Sequence, residues 1–201
     1  MERKFADRSL PPSVAAKAAD TAEAALIARV AAASDLPAFE ALYRAYHPRL
    51  IRFVGLMVSR RPVVEEILND TMLVVWRRAH TYNGQCKVST WVFAIAYRTA
   101  LKALRQQDTP VEGSALDDRA TDERGPEQRH SDRQTRAALE QALAALSAEQ
   151  RSVLVLTYFH GLPYTEIAQI VECPPDTVKT RMFHGRRRLR ALLSGELRDW
   201  L

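Results

Sequence analysis

The sequence predicts an all-α protein: two small helical domains joined by a flexible acidic linker. Three observations carry that expectation. Glycine is sparse, 7 of 201 residues, while Ala, Leu, Arg and Glu are abundant, a composition that suits helices. Large apolar residues recur at helical spacing through two separate stretches. Between them, from Asp108 to Arg133, only Val111 and Leu116 remain as large apolar residues, and eight acids face four bases, net −4. Such a segment cannot bury enough surface to fold alone.

The elements follow in order. Residues 1–19 are rich in Ala, Pro and charge and read as a flexible tail. From Asp20, Leu26, Ile27 and Val30 share a helical face; Phe39, Leu42, Tyr43 and Tyr46 continue the spacing, then Leu50, Phe53, Val54 and Met57. Pro37 and Pro48 mark breaks or first-turn positions. A helix is expected from about Val63 to His80, with Val64, Ile67, Leu68, Thr71 and Val75 inward. Asn83-Gly84 signals a loop, and Ser89 can N-cap a long helix to about Gln106. After the linker, helices resume near Gln134. Ser147 to Gln150 forms a capping box, and Gly161 stops the helix it opens. The short helix "YTEIAQIV" and the tight "ECPP" connection lead to a last helix from about Pro175, a helix-turn-helix signature. The expected division is thus 1–19 tail, 20–107 first domain, 108–133 linker, 134–194 second domain and 195–201 C-terminal tail.

The last helix places Val178, Met182, Gly185 and Leu189 on one stripe facing its own core. Lys179, Thr180, Arg181, Phe183, His184, Arg186 and Arg187 fall on the remaining faces. The bland reading is a solvated basic face. The short preceding helix, the tight turn and an outward Phe183 favour DNA instead, with the N-terminal half at base edges and the later arginines at phosphates.

In the first domain, Trp91, Arg98, Lys102 and Arg105 lie on one helical face. Cations with an aromatic in line suit a nucleic-acid strand whose bases are partly unstacked. Gln85, Cys86 and Lys87 can wall a pocket for an extruded base. The alternative is a core tryptophan beside a wet basic face. The preceding helix is the electrical opposite: Glu65, Glu66, Asn69 and Asp70 stand together. The i,i+4 acids cost a helix roughly 0.2–0.5 kcal/mol, as would suit a face offered to a basic protein partner; the bland alternative is that Arg60 and Arg61 neutralise it from the N-terminal side of the helix.

The order "LPAFEALYRAYHPRLIRFV", "VVEEILNDTMLVVWRRAHTYNG", "STWVFAIAYRTALKALR" and "LEQALAALSAEQRSVLVLTYFHGLPYTEIAQIVECPPDTVKTRMFHGRRRLRALL" resembles a bacterial extracytoplasmic-function (ECF) sigma factor. The resemblance covers about residues 20–107 and 134–194. It implies that the first domain is a sigma region 2 bundle, which holds and melts a −10 element. Glu66, Asn69 and Asp70 match the docking positions for core RNA polymerase. Gln85, Cys86, Lys87 and Val88 match the loop that captures a flipped base; Trp91 matches the tryptophan of the melting helix, and Arg98 and Lys102 match strand-facing positions. The second domain resembles the region 4 helix-turn-helix that reads a −35 element. Lys179, Thr180, Phe183 and His184 match base-proximal positions, with Arg181 and Arg186 structural or phosphate-facing. Three residues depart from the family pattern: Asp176 where glycine is common, His184 for a frequent arginine, and Pro163 for a capping serine.

The expected partners are core RNA polymerase and promoter DNA. An anti-sigma factor is a candidate third, since many such proteins are held between their two modules by one. The formal charge of +5 permits a polyanion partner. Cys86 and Cys173, far apart, form no disulfide framework, and no zinc or cofactor motif is present. No phosphate-cradling glycine loop or catalytic constellation argues for an enzyme. No run reaches the ~18 apolar residues of a bilayer span, and the N-terminus lacks a signal-peptide core, so the expected location is the cytoplasm. The competing class is a helix-turn-helix regulator with residues 20–107 as a sensor or dimerisation domain.

Overall fold

A computed structural model describes residues 14–58, 60–107 and 137–193. The expected linker, 108–133, and C-terminal tail, 195–201, lie wholly outside the described residues, as do residues 1–13 of the expected N-terminal tail.

The N-terminal bundle has four helices: α1 (Val14–Ala33), α2 (Leu36–Met57), α3 (Arg61–Arg78) and α4 (Val88–Gln107), with a 3-10 turn (Ala79–Thr81) after α3. Helix α1 starts six residues before the expected Asp20. Ser34 takes a positive φ of 50°, which turns the chain into Asp35. The Asp35 carboxylate then caps α2 by accepting from the Ala38 N–H at 3.0 Å. Pro37 stands in the first turn of α2, whereas Pro48 sits inside the helix without ending it.

Helix α2 is the central element. It buries Ala38, Leu42, Tyr46, Leu50, Phe53, Val54 and Met57 along one stripe. Helix α3 buries Val64, Ile67, Leu68, Thr71, Met72 and Val75, the expected stripe plus Met72. Thr71 hides its hydroxyl by donating to the Ile67 carbonyl at 2.7 Å. Ser89 does not cap α4 but lies in its first turn. The Lys87 carbonyl already accepts from the Trp91 N–H at 3.1 Å, so the cap position is Lys87, two residues before the one expected.

The C-terminal bundle comprises a helical segment over 137–144 (α5), then α6 (Ala148–Tyr158), α7 (Tyr164–Ile170) and α8 (Pro175–Leu192). Ser147 accepts from the Gln150 N–H at 3.3 Å. The return bond of the capping box is missing, since Gln150 Oε1 has no partner. Gly161, at φ +63°, donates to the Thr157 carbonyl at 3.1 Å and ends α6. Helix α8 buries Val178, Met182, Gly185 and Leu189, the stripe expected. Gly185 has a steric reason: a Cβ there would lie 3.0 Å from Leu154 Cδ1 on α6.

The two bundles touch. Helix α7 lies against α4 and α6 against α2, and the buried apolar side chains of both join one continuous cluster. Each large side chain fully withdrawn from water there contributes about 1.5–3 kcal/mol.

Candidate nucleic-acid and polymerase interfaces

Three surfaces carry the residues singled out by sequence. On α8, Lys179, Thr180, Phe183, His184 and Arg187 are exposed. Phe183 is 63% exposed, an outward aromatic among the cations of α8. It meets the His184 ring edge-on at 5.3 Å. Arg181 and Arg186 are half-buried, and Arg181 reaches to 3.6 Å from Cys173 Sγ. Asp176, in the first turn, pairs with Lys179 at 3.0 Å and favours the positive end of the helix dipole. Pro163 stands at the α7 N-cap position and supplies no side-chain bond there.

On α3, Glu66, Asn69 and Asp70 are exposed together. Leu73, 43% exposed, extends the patch by a turn with an apolar side chain.

The third surface joins α4 and the loop before it. Gly84 takes φ +73°, and Asn83 Oδ1 accepts from the Gln85 N–H at 3.1 Å. The Tyr82 hydroxyl donates to the Cys86 carbonyl at 2.6 Å, and Trp91, half-buried, leans on the Tyr82 ring at 5.6 Å. These contacts hold Gln85, Cys86 and Lys87 around a cleft of about 520 Å³. Burial, and then the carboxylate of Glu166, push the Cys86 thiol pKa up and so disfavour its thiolate. Val88 differs from its loop neighbours: it is fully buried, so as placed its side chain belongs to the core and not to the cleft wall. Lys102 and Arg105 are exposed.

Two cations of this surface are engaged by the other bundle. Lys87 Nζ lies 2.6 Å from Glu166 Oε1 on α7, a bond that raises the lysine pKa. Arg98 pairs with Glu172, just past the end of α7. Glu166 and Gln169 also close one side of the loop cleft.

Below this ionic rim the contact is apolar. The His160 ring meets Phe93 at 4.8 Å and Phe53 at 6.0 Å, both edge-on. Burial, with Arg49 and Arg52 nearby, depresses its pKa to about 4, and its Nε2 has no partner. Arg52 lies 5.1 Å over the Phe159 ring. Arg151, buried on α6, donates to the Met57 carbonyl at the end of α2 at 2.6 Å and to Ala144 and Leu146 at 2.7 and 3.1 Å. Removal from water lowers its pKa. Sequence reading passed over Glu166, Glu172, His160 and Arg151. The available signal was the pair of acids on and after α7, out of place in a module otherwise suited to a polyanion.

Among the described residues no helix is long and apolar enough to cross a membrane, and no group of three or more His, Cys, Asp or Glu could hold a metal ion.

Comparison with known proteins fits this geometry. Residues 42–109 match the family Sigma-70 region 2, and residues 136–189 match Sigma-70, region 4. The RNA polymerase sigma factor CarQ of Myxococcus xanthus is 32% identical over 161 residues, covering 80% of this chain and 91% of that protein. The ECF RNA polymerase sigma factor RpoE of Cereibacter sphaeroides is 29% identical, covering 80% of this chain and 88% of that protein. In fold, the chain resembles CnrH, solved in complex with the cytosolic domain of CnrY, with a TM-score of 0.66 at 20% identity over 85% of this chain and 96% of that one. With residues 42–109 matched by Sigma-70 region 2, the reading of the first bundle as a regulator's sensor domain is not favoured. The chain belongs to the ECF sigma factors of the sigma-70 family, proteins that direct promoter-specific transcription.

Proposed function

We propose that this chain binds core RNA polymerase through Glu66, Asn69 and Asp70 and directs it with two DNA-reading modules. Residues 20–107 hold and help open the −10 element, and residues 134–194 read the −35 element. Polymerase performs the chemistry; this chain contributes recognition. Lys179, Thr180, Phe183 and His184 meet base edges, while Arg181, Arg186 and Arg187 supply positive charge for phosphates. On the other module Gln85, Cys86 and Lys87 form the wall for one extruded base, with Val88 behind them. Trp91, Arg98 and Lys102 follow the strand. The acidic linker, 108–133, lies between the two readers.

The observation that carries this reading is the division of α8: four residues face inward, while an exposed aromatic stands outward among cations. Paired with the short α7 before it, that is how a recognition helix offers side chains to a major groove. Each module offers few contacts and binds weakly alone; polymerase, by spacing them, makes the second contact effectively intramolecular. An anti-sigma factor, like NepR bound to the sigma factor RpoE from Bartonella quintana, is a further proposed partner, and the cytoplasm, where polymerase works, the proposed location.

The test is initiation. Purified chain added to bacterial core polymerase on fragmented genomic DNA gives discrete transcripts whose start sites share two spaced motifs. No transcript above the level of core alone refutes the proposal.

A further inference from the structure

The surface assigned to the −10 strand is not free. We propose that Glu166 and Glu172 stand in for backbone phosphates on that surface, so that the free chain masks its own −10 reader while leaving its −35 reader and its polymerase-docking face open. This rests on the assignment of α4 and its loop to the opened strand.

Four observations converge. Lys87 and Arg98, both expected to meet the strand, each hold a carboxylate from the second bundle. A carboxylate on an ammonium or guanidinium offers the same charge-assisted bonds as a phosphate oxygen. Glu166 and Gln169 also line the cleft assigned to the extruded base.

The backbone at Glu172 is the third observation. It sits two residues past the end of α7 at φ +52°, while the following Cys173 N–H closes on the Ala168 carbonyl at 3.1 Å. That is the helix-ending geometry in which glycine is favoured and a side chain is strained. A glutamate there is locally unfavourable, and the carboxylate it brings reaches Arg98.

The fourth is asymmetry. Lys179, Thr180, Phe183, His184 and Arg187 remain exposed, as do Glu66, Asn69 and Asp70. Of the three surfaces, only the strand-facing one has cations held by carboxylates of the other bundle, Lys87 and Arg98, while Lys102 stays exposed. Polymerase can therefore dock on the closed chain, and displacement of the two carboxylates follows. The rim suits exchange: Arg98 and Glu172 are both at least half exposed, and such pairs part readily and are screened by salt.

The experiment uses the full chain without polymerase and a fluorescent, mixed-sequence, single-stranded 12-nucleotide DNA. The variant Glu166→Gln/Glu172→Gln is expected to bind about tenfold tighter than wild type, the scale of one charge-assisted bond regained. Its salt dependence steepens by about 1.4, two phosphate contacts at about 0.7 each. Glu172→Gly, which removes the carboxylate and relieves the backbone, shifts affinity the same way with thermal stability kept. As a charge control, Glu40→Gln/Glu140→Gln removes two exposed acids that belong to none of the three surfaces and leaves affinity within twofold. Unchanged affinity in the first two variants, or an equal rise in the control, overturns the proposal. Initiation with core polymerase separates the two readings. If wild type initiates and the glutamate variants bind no tighter, masking alone is wrong. If the variants bind tighter and nothing initiates, masking stands and the sigma-factor mechanism is wrong.

Discussion

At the scale of single residues, the contact between bundles turns on groups whose chemistry is set by burial. His160 faces Phe53 and Phe93, with Arg49 and Arg52 as the charged groups near it. Both arginines and the loss of water oppose its protonation, so it is neutral in the fold, with a pKa near 4 against 6.5 for the free group. The freed or unfolded histidine binds a proton more readily. Stability is thus full above about pH 6.5 and falls as the pH drops toward 4. His160→Phe keeps a ring against both aromatics and removes the orphan nitrogen. Wild type minus variant, measured by denaturant unfolding, is expected to show stability lost between pH 6.5 and 4. A difference flat with pH contradicts the assignment. Glu23, which accepts from the Tyr46 hydroxyl and lies 3.7 Å from Arg49, ties α1 to the same side of α2.

At the scale of elements, packing decides what propensity leaves open. Gly185 lies inside a helix, where alanine is preferred by about 1 kcal/mol. Against that, α6 sits close enough that a Cβ would meet Leu154 at 3.0 Å. The two effects oppose each other for Gly185→Ala. Gly185→Leu adds three more carbons to the same gap and is expected to cost about 1–3 kcal/mol, read as a lower midpoint in thermal unfolding. No loss would mean that α8 sits farther from α6 than described. Much at this scale was legible beforehand. The stripes of α3 and α8, the stop at Gly161 and the Asn83-Gly84 turn all follow from spacing and from residues that favour one backbone geometry. Ser89 misled because a cap depends on which carbonyl closes the first turn, and Lys87 did so. Pro48 stayed ambiguous because one proline inside a long, well-packed helix can be outweighed by burial on either side, here Tyr46 and Leu50.

At the scale of the whole molecule, the sequence offered the surfaces but not their meeting. Lys87 and Arg98 were readable as cations on one side of the first module. That Glu166 and Glu172 would reach them depends on tertiary packing between bundles, 79 and 74 residues apart along the chain, and no periodicity reports that. Val88 was assigned by position in a motif, and its side chain went to the core because α4 starts there. The face proposed for docking, by contrast, belongs to one exposed helix side and needs no partner element to form. Glu66→Lys/Asp70→Lys is therefore expected to abolish binding to core polymerase while shifting folding stability by about 0.5 kcal/mol or less, as surface changes do. A pull-down with purified core and a melting curve check both halves; retained binding would move the docking site elsewhere.

The apolar floor beneath the ionic rim has a consequence for the lifetime of the protein. When the bundles part, the sides of Phe53 and Phe93 that His160 covers meet water. On the proposed opening, the chain would carry a sticky aromatic patch, of the kind that promotes aggregation and attracts proteases. Reclosure would then also be self-protection.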